Sequence, residues 1–189
     1  MTRAFEPTPI AAGVLEDLVD LAGRGPSAGK TQGWHLVVLE GARTGAFWDI
    51  TLPADRRATF RWQQLLEAPV ILLPFADPHA YVDRYAEPDK ASTGLGTGAD
   101  AWPAPYWTID ASMAVMTLLL GAEAAGLGAL FFGVFHDEAA LRTELDVPEH
   151  LQLLGAIALG HRARSVPARG RSANRPRRPP DEIIHRNRW

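Results

Sequence analysis

The sequence predicts an α+β fold, a mixed and mostly antiparallel sheet flanked by helices. Two observations predict it. Apolar runs with helical spacing and short β-rich apolar runs follow one another without the strict βαβ alternation of a parallel sheet. The 189 residues, 47% hydrophobic and 22% charged, suit a single domain over 1–189 with a core of useful size.

Taken in order, Ile10 to Ala22 carries apolar residues at Val14, Leu15, Leu18, Val19 and Leu21, the stripe of an amphipathic helix. Gly23-Arg24-Gly25-Pro26 stops it. Trp34 to Glu40 reads as a strand, Ala54 to Ala68 as a helix ending before Pro69, and Val70 to Phe75 as a second, buried strand. Asp77 to Tyr85 suits a short helix. Residues 87–105 are rich in Gly, Pro, Ser and Thr without periodicity, which predicts a mobile loop. Tyr106 to Ala125 is apolar almost all round, so it is expected to be buried on every side or to lie in a subunit interface. Gly126 closes it as a C-cap. Ala129 to Phe132 and Leu151 to Leu159 read as strands, and Asp137 as the N-cap of a helix to Leu145. Residues 161–189 form an extended, basic tail with nine arginines from Arg162 to Arg188.

Composition excludes several functions. Without cysteine there is no thiolate catalysis, disulfide or Cys-based metal site. The net charge of −3 gives no bulk attraction to nucleic acid or anionic membrane. The start MTRAFEPTPI lacks the apolar core of a signal peptide, and no run is long enough to span a bilayer, so a cytoplasmic location is expected. The six histidines show no metal-ligand spacing. Gly29-Lys30-Thr31 resembles the end of a phosphate-binding loop, but Arg24 stands where its first glycine belongs and a strand follows it rather than a helix. Gly94-Leu95-Gly96-Thr97-Gly98-Ala99 formally fits a dinucleotide fingerprint without the preceding strand. Few candidate acids, bases and nucleophiles remain, which points to a cofactor that carries its own chemistry.

Four segments together resemble the nitroreductase family: Arg3-Ala4-Phe5; the run Pro26-Ser27-Ala28-Gly29-Lys30-Thr31-Gln32-Gly33-Trp34; the apolar helix leading into Gly126-Leu127-Gly128 and Phe131-Phe132-Gly133-Val134-Phe135; and the tail Arg175-Pro176-Arg177-Arg178-Pro179 with Trp189. Their order and spacing cover nearly the whole chain. The resemblance implies an interlocked homodimer with FMN at the subunit interface, NADPH or NADH as electron donor, and electron-poor small molecules such as nitroaromatics or quinones as acceptors. It also leaves open a flavin-fragmenting or dehalogenating enzyme of the same fold, and a non-catalytic binding protein that has lost tight FMN binding.

The resemblance assigns roles residue by residue. Arg3, Arg175 and Arg177 fall on basic phosphate-binding positions. Pro26, Ser27, Ala28, Lys30 and Gln32 fall on the loop that reaches the flavin from the partner subunit, with Lys30 in place of the usual Asn and Gly33 in place of the usual Pro. Arg61 and Gln64 fall on positions contacting ring and ribityl chain, Gln64 standing where Lys is frequent. Leu130, Phe131, Phe132 and Gly133 pack one flavin face and offer a backbone N–H. Trp102, Tyr106 and Trp107 are the candidate aromatic wall for substrates, or plain interface aromatics. No side-chain acid or base is assigned. Family members carry a further phosphate-contacting Arg about two residues before the position of Met1; the resemblance implies either a late start, which the intact motif from Arg3 onward favours, or FMN binding with one cation fewer, and the expectation is partly or wholly empty flavin sites.

Overall fold

The computed structural model describes residues 1–164, 170 and 173–189; Arg169 and Arg171 of the predicted basic tail lie outside the described residues. At its centre is β2 (Val70–Ala76), a run of seven buried residues. It is flanked by β1 (Trp34–Glu40) on one edge and by β5 (Ala156–Gly160) and the short β4 (Gln152–Leu153) on the other; β3 (Gly128–Phe132) completes the order β1-β2-β5-β3. Every one of these pairings is antiparallel.

Strand alternation sorts the core into two layers. Val70 and Leu72 of β2, with Ile157 and Leu159 of β5, meet α1 (Val14–Ala22) and α5 (Tyr106–Ala124). Ile71, Leu73 and Phe75, with Ala156 and Ala158, meet Phe47 and Trp48 of α2 (Ala42–Thr51) and Leu141 of α6 (Glu138–Glu144). A strand covered on both faces must be apolar at every position, which is why β2 reads as a continuous run. Each fully buried Leu or Ile contributes about 1.5–3 kcal/mol. A third cluster gathers Ala76, Tyr81, Trp102, Trp107 and Ala111 where α4 (Pro78–Ala86) meets α5.

Several boundaries differ from the sequence reading. The first helix begins at Val14, because Gly13 is left-handed at φ +85°. The continuous helix expected over Ala54 to Ala68 is absent: only α3 (Ala54–Arg57) and a 3-10 turn at Gln63–Leu65 form. Arg57 instead turns its guanidinium to the Leu52 carbonyl and to Asp49, and Gln63 caps the carbonyls of Arg57 and Phe60. The helix unread in the sequence is α2, whose Thr44 and Gly45 are poor helix formers. Asp137 stands at the N-cap of α6 but is itself left-handed at φ +52° and makes no side-chain cap bond. The strand expected over Leu151 to Leu159 breaks at Gly155, φ +144°, into β4 and β5. The segment 87–105 contains three 3-10 turns, at Ala91–Thr93, Leu95–Thr97 and Ala99–Ala101.

Asp77 caps α4 as its sequence position suggests, accepting from the backbone of His79 and Ala80. The end of α5 is a Schellman motif: Leu127 N–H donates to the Ala122 carbonyl, Gly126 N–H to that of Glu123, and Gly126 is left-handed at φ +76°. α5 is not buried on every side. One face packs on the sheet and α1, while Ile109, Met116 and Leu120 are 39%, 53% and 58% exposed, beside Leu21 of α1 at 42%.

Candidate functional site

The N-terminal segment builds one wall of the site because it is stitched on three sides. Thr2 N–H donates to the Ala129 carbonyl of β3, Phe5 N–H to that of Gln64, and Ala163 N–H to that of Ala4. Arg3 is thereby held between the segment leading into β2 and the edge of the sheet. Its guanidinium lies over the Trp62 ring, 5.3 Å from the centroid, and Arg61 lies over the same ring at 5.9 Å.

Behind Arg3 is a chamber of about 320 Å³ lined by Phe47, Trp48, Phe60, Trp62, Phe132 and Phe135, among others. Trp48 stacks on Phe132 at 5.9 Å with ring planes 3° apart, and Phe47 meets both rings edge-on. Leu130, Phe131 and Gly133 join the lining as β3 runs out into the turn before α6. A hollow of about 670 Å³ adjoins it through Arg3, Leu52, Phe60 and Trp62 and adds Arg56 and Arg61. Arg56 Nη1 lies 3.3 Å from His136 Nε2. Among the described residues lining the two hollows there are three arginines and one histidine but no carboxylate. An apolar, aromatic chamber with cations at its mouth suits a flat aromatic ligand that carries an anionic group.

Of the residues predicted from sequence, the structure brings together Arg3, Arg61, Leu130, Phe131, Phe132 and Gly133. Gln64 is joined to them through its backbone bond with Phe5 and lines neither hollow. Arg175 and Arg177 are exposed and line neither hollow.

Pro26, Ser27, Ala28, Lys30 and Gln32 lie on a separate loop against α4 and α5. Asp110, 7% exposed, accepts from Ala28 N–H and from the Tyr81 hydroxyl through one oxygen, both at 2.7 Å. Ser27 Oγ accepts from Gln32 N–H at 2.8 Å, and Arg84 Nε donates to the Gly29 carbonyl at 3.0 Å. Burial, followed by the bonding and charge of Asp110, pushes the Tyr81 phenol well above its ordinary value, so Tyr81 is a neutral donor. Arg84 holds the Asp89 carboxyl below the usual range through paired hydrogen bonds at 2.8 Å.

Trp102 and Trp107 are spent inside the chain. Their indole N–H groups donate to the Leu95 carbonyl and to Gln152 Oε1, and both rings pack edge-on against Tyr81. Tyr106 is 37% exposed.

Sequence reasoning missed Phe47 and Trp48, which lie on the unread α2, and the clamp residues Tyr81, Arg84 and Asp110. Asp110 carried a usable signal: it is the lone acid in an apolar stretch, and a buried acid requires partners. The aromatic-cation run Phe60-Arg61-Trp62 carried another. Among the described residues no group of His, Asp and Glu is placed to hold a metal, and no helix is long and apolar enough to cross a membrane.

The chain is similar over most of its length to known proteins. The family model described as the Nitroreductase family matches residues 1–161. A protein of Thermus thermophilus named NADH dehydrogenase is 28% identical over 179 residues, covering 85% of this chain and 82% of the relative. A 5,6-dimethylbenzimidazole synthase of Rhodospirillum rubrum is 29% identical over 172 residues, covering 84% and 75%. A solved structure described as an oxidoreductase containing FMN superposes with a TM-score of 0.71 at 19% identity, covering 100% of this chain and 87% of that one.

Proposed function

The chain belongs to the nitroreductase family, and from that premise we propose that this oxidoreductase binds FMN in the cleft behind Arg3 and passes electrons from NADPH or NADH to electron-poor acceptors such as nitroaromatics or quinones. The observation that carries the reading is the lining of the cleft: aromatic and apolar walls, cations at the mouth and no carboxylate among the described residues. The residues fit the cofactor. Leu130, Phe131 and Phe132 suit a flat ring, Gly133 suits close backbone approach, and Arg3 and Arg61 suit the phosphate and polar edge. The name of the FMN-containing structural neighbour supports the same cofactor. When bound, FMN supplies the hydride-accepting and electron-donating chemistry. The chain's own part is to bind, orient and exclude water: the Trp62 ring lies against Arg3 and Arg61, and the Trp48–Phe132 stack forms part of the chamber wall.

The same reading makes the protein a homodimer. The exposed row Ile109, Met116 and Leu120 is an apolar face of α5 that a second copy covers. The loop carrying Pro26 to Gln32 then completes the partner's cleft, and Tyr106, exposed at the start of α5, faces the acceptor. Arg175 and Arg177 bind the phosphate from the tail, in a cytoplasmic enzyme.

The test is to titrate FMN into purified protein, following flavin fluorescence, and then to follow NADPH and NADH oxidation with a nitroaromatic or a quinone present. Saturable quenching and acceptor-dependent oxidation are expected. Absence of any FMN binding overturns the proposal. A second reading, in which flavin is consumed rather than recycled, is favoured by the 29% identity to the 5,6-dimethylbenzimidazole synthase. Loss of the flavin itself with turnover would establish that reading.

A further inference from the structure

The loop before β1 adopts a conformation that its residues resist. Gly29, Lys30 and Gln32 all have positive φ, at 62°, 56° and 53°, and two of the three are not glycine. Such backbone persists only where the surroundings over-determine it, and it concentrates at functional segments. The surroundings here are specific. Asp110 and Thr44 are the buried polar side chains of the described structure, and Asp110 spends one oxygen on the Ala28 N–H and the Tyr81 hydroxyl. Arg84 takes the Gly29 carbonyl from the other side of the turn, and its guanidinium is itself fixed by Asp89. Gly33 leaves room for this arrangement, since a Cβ there would stand 2.7 Å from the Tyr81 ring.

The outcome of this bracing is the placement of Lys30. It is exposed at the apex of the turn and has no acidic partner among the described residues. Two other polar side chains of the loop are tied to nearby carbonyls: Thr31 Oγ1 donates to the Ala28 carbonyl and Gln32 Nε2 to that of Gly23. A braced turn that carries an exposed cation without an acidic partner among the described residues suits an anion outside its own chain.

We propose that Asp110 is a positioning residue: with Tyr81 and Arg84 it locks the Pro26–Gln32 loop in its left-handed turn and so presents Lys30 to an anionic ligand, FMN in the cleft of a second copy of the chain. The identity of the ligand rests on the function proposed above; the clamp itself does not. Removing the clamp releases the turn, and Lys30 then spends its time away from the ligand.

Two measurements separate the clamp from the ligand. Asp110→Leu removes both hydrogen bonds, Asp110→Asn keeps an oxygen for them, and Tyr81→Phe removes one of them at an almost unchanged volume. Limited trypsin cleavage after Lys30 of flavin-free protein, with far-UV circular dichroism as the check on folding, reads the loop directly. Cleavage is expected to accelerate in the order wild type, Asp110→Asn, Tyr81→Phe, Asp110→Leu. FMN affinity, read by fluorescence quenching, is expected to fall by about tenfold or more in Asp110→Leu, the size of one lost charge-assisted contact, with partial rescue in Asp110→Asn. Should Asp110→Leu not fold, Tyr81→Phe carries the same comparison. Unchanged cleavage in folded Tyr81→Phe and Asp110→Leu overturns the clamp. Faster cleavage with unchanged FMN affinity overturns the presentation of Lys30 to flavin. A wild type that binds no FMN, with cleavage following the expected order, removes the flavin reading and leaves the clamp standing.

Discussion

Gly155 couples the sheet to the cleft, and Gly155→Ala measures that coupling. The residue joins β4 to β5 at φ +144°, a backbone conformation that L side chains rarely adopt. A Cβ there would lie 2.6 Å from the Phe132 carbonyl oxygen and 2.9 Å from the Phe131 ring. Two costs therefore add. Forcing alanine into a sparsely populated backbone region costs about 1–3 kcal/mol, and overpacking a well-packed site costs about 1–3 kcal/mol. The first contact is with backbone in a strand paired to Ala156, so it cannot be relieved by a rotamer change. Gly126→Ala is the control, because Gly126 is also left-handed, at φ +76°, but a Cβ there meets nothing within 4 Å. Guanidinium unfolding followed by tryptophan fluorescence should give Gly155→Ala a loss of about 2–6 kcal/mol and Gly126→Ala only the backbone part, about 1–3 kcal/mol. Because the strand that must yield carries Phe131 and Phe132, FMN affinity should fall in Gly155→Ala and hold in Gly126→Ala. Equal destabilisation by the two substitutions would refute the argument from close approach.

Three further outcomes follow from features described above. Arg175→Ala combined with Arg177→Ala should weaken FMN binding by about 1.5–3 kcal/mol per lost charged hydrogen bond without unfolding the protein; unchanged affinity by fluorescence titration would leave the tail a solvated segment. Met116→Asp combined with Leu120→Asp places charges on the exposed face of α5 and should give monomers by light scattering at micromolar concentration, whereas an intact dimer would place the interface elsewhere. Asp89, whose carboxyl Arg84 holds below the usual range, contributes stability that is fully present above the ordinary aspartate value of about 3.9 and is lost as pH falls through its lower folded value. Asp89→Asn should therefore lower the melting temperature slightly at neutral pH and not at all in strong acid; a difference that persists at the acid end would contradict the pairing.

Legibility in the sequence followed the strength of local signals. β1 is legible from Trp34 to Glu40, the boundaries the structure gives, because a turn-rich stretch precedes a β-rich run and Gly41 follows it. β2 and α5 were equally plain from their unbroken apolar runs. α2 was invisible because Thr44, Gly45 and Thr51 dilute its pattern; tertiary burial of Phe47 and Trp48 makes the helix, and local propensity does not. The reverse error, the helix over Ala54 to Ala68, came from good helix formers whose side chains bond to carbonyls outside any helical register. The cleft was legible as a set of candidate residues, Arg3, Arg61 and Leu130 to Gly133, but only the fold could show that a backbone bond from Phe5 to Gln64 and another from Thr2 to Ala129 draw them together. The clamp around Asp110 spans 82 residues from Ala28, and no local pattern encodes a contact of that range.

The order of the strands also sets a timetable for synthesis. β2 is apolar at all seven positions and is paired on both edges in the finished sheet, with β1 behind it in the chain and β5 ahead. A ribosome that has just completed Ala76 must add about 80 further residues before β5 exists, which at about 5–20 residues per second takes roughly 4–16 s. For that interval the nascent chain carries a half-paired strand with no charge to blunt it, the kind of edge on which other chains nucleate. The earliest relief available is α5, which can cover one face of β2 before β5 arrives but cannot satisfy its open backbone edge. Yield in the cell is therefore expected to depend on translation speed between codons 77 and 156 and on the supply of chaperones that hold extended apolar segments.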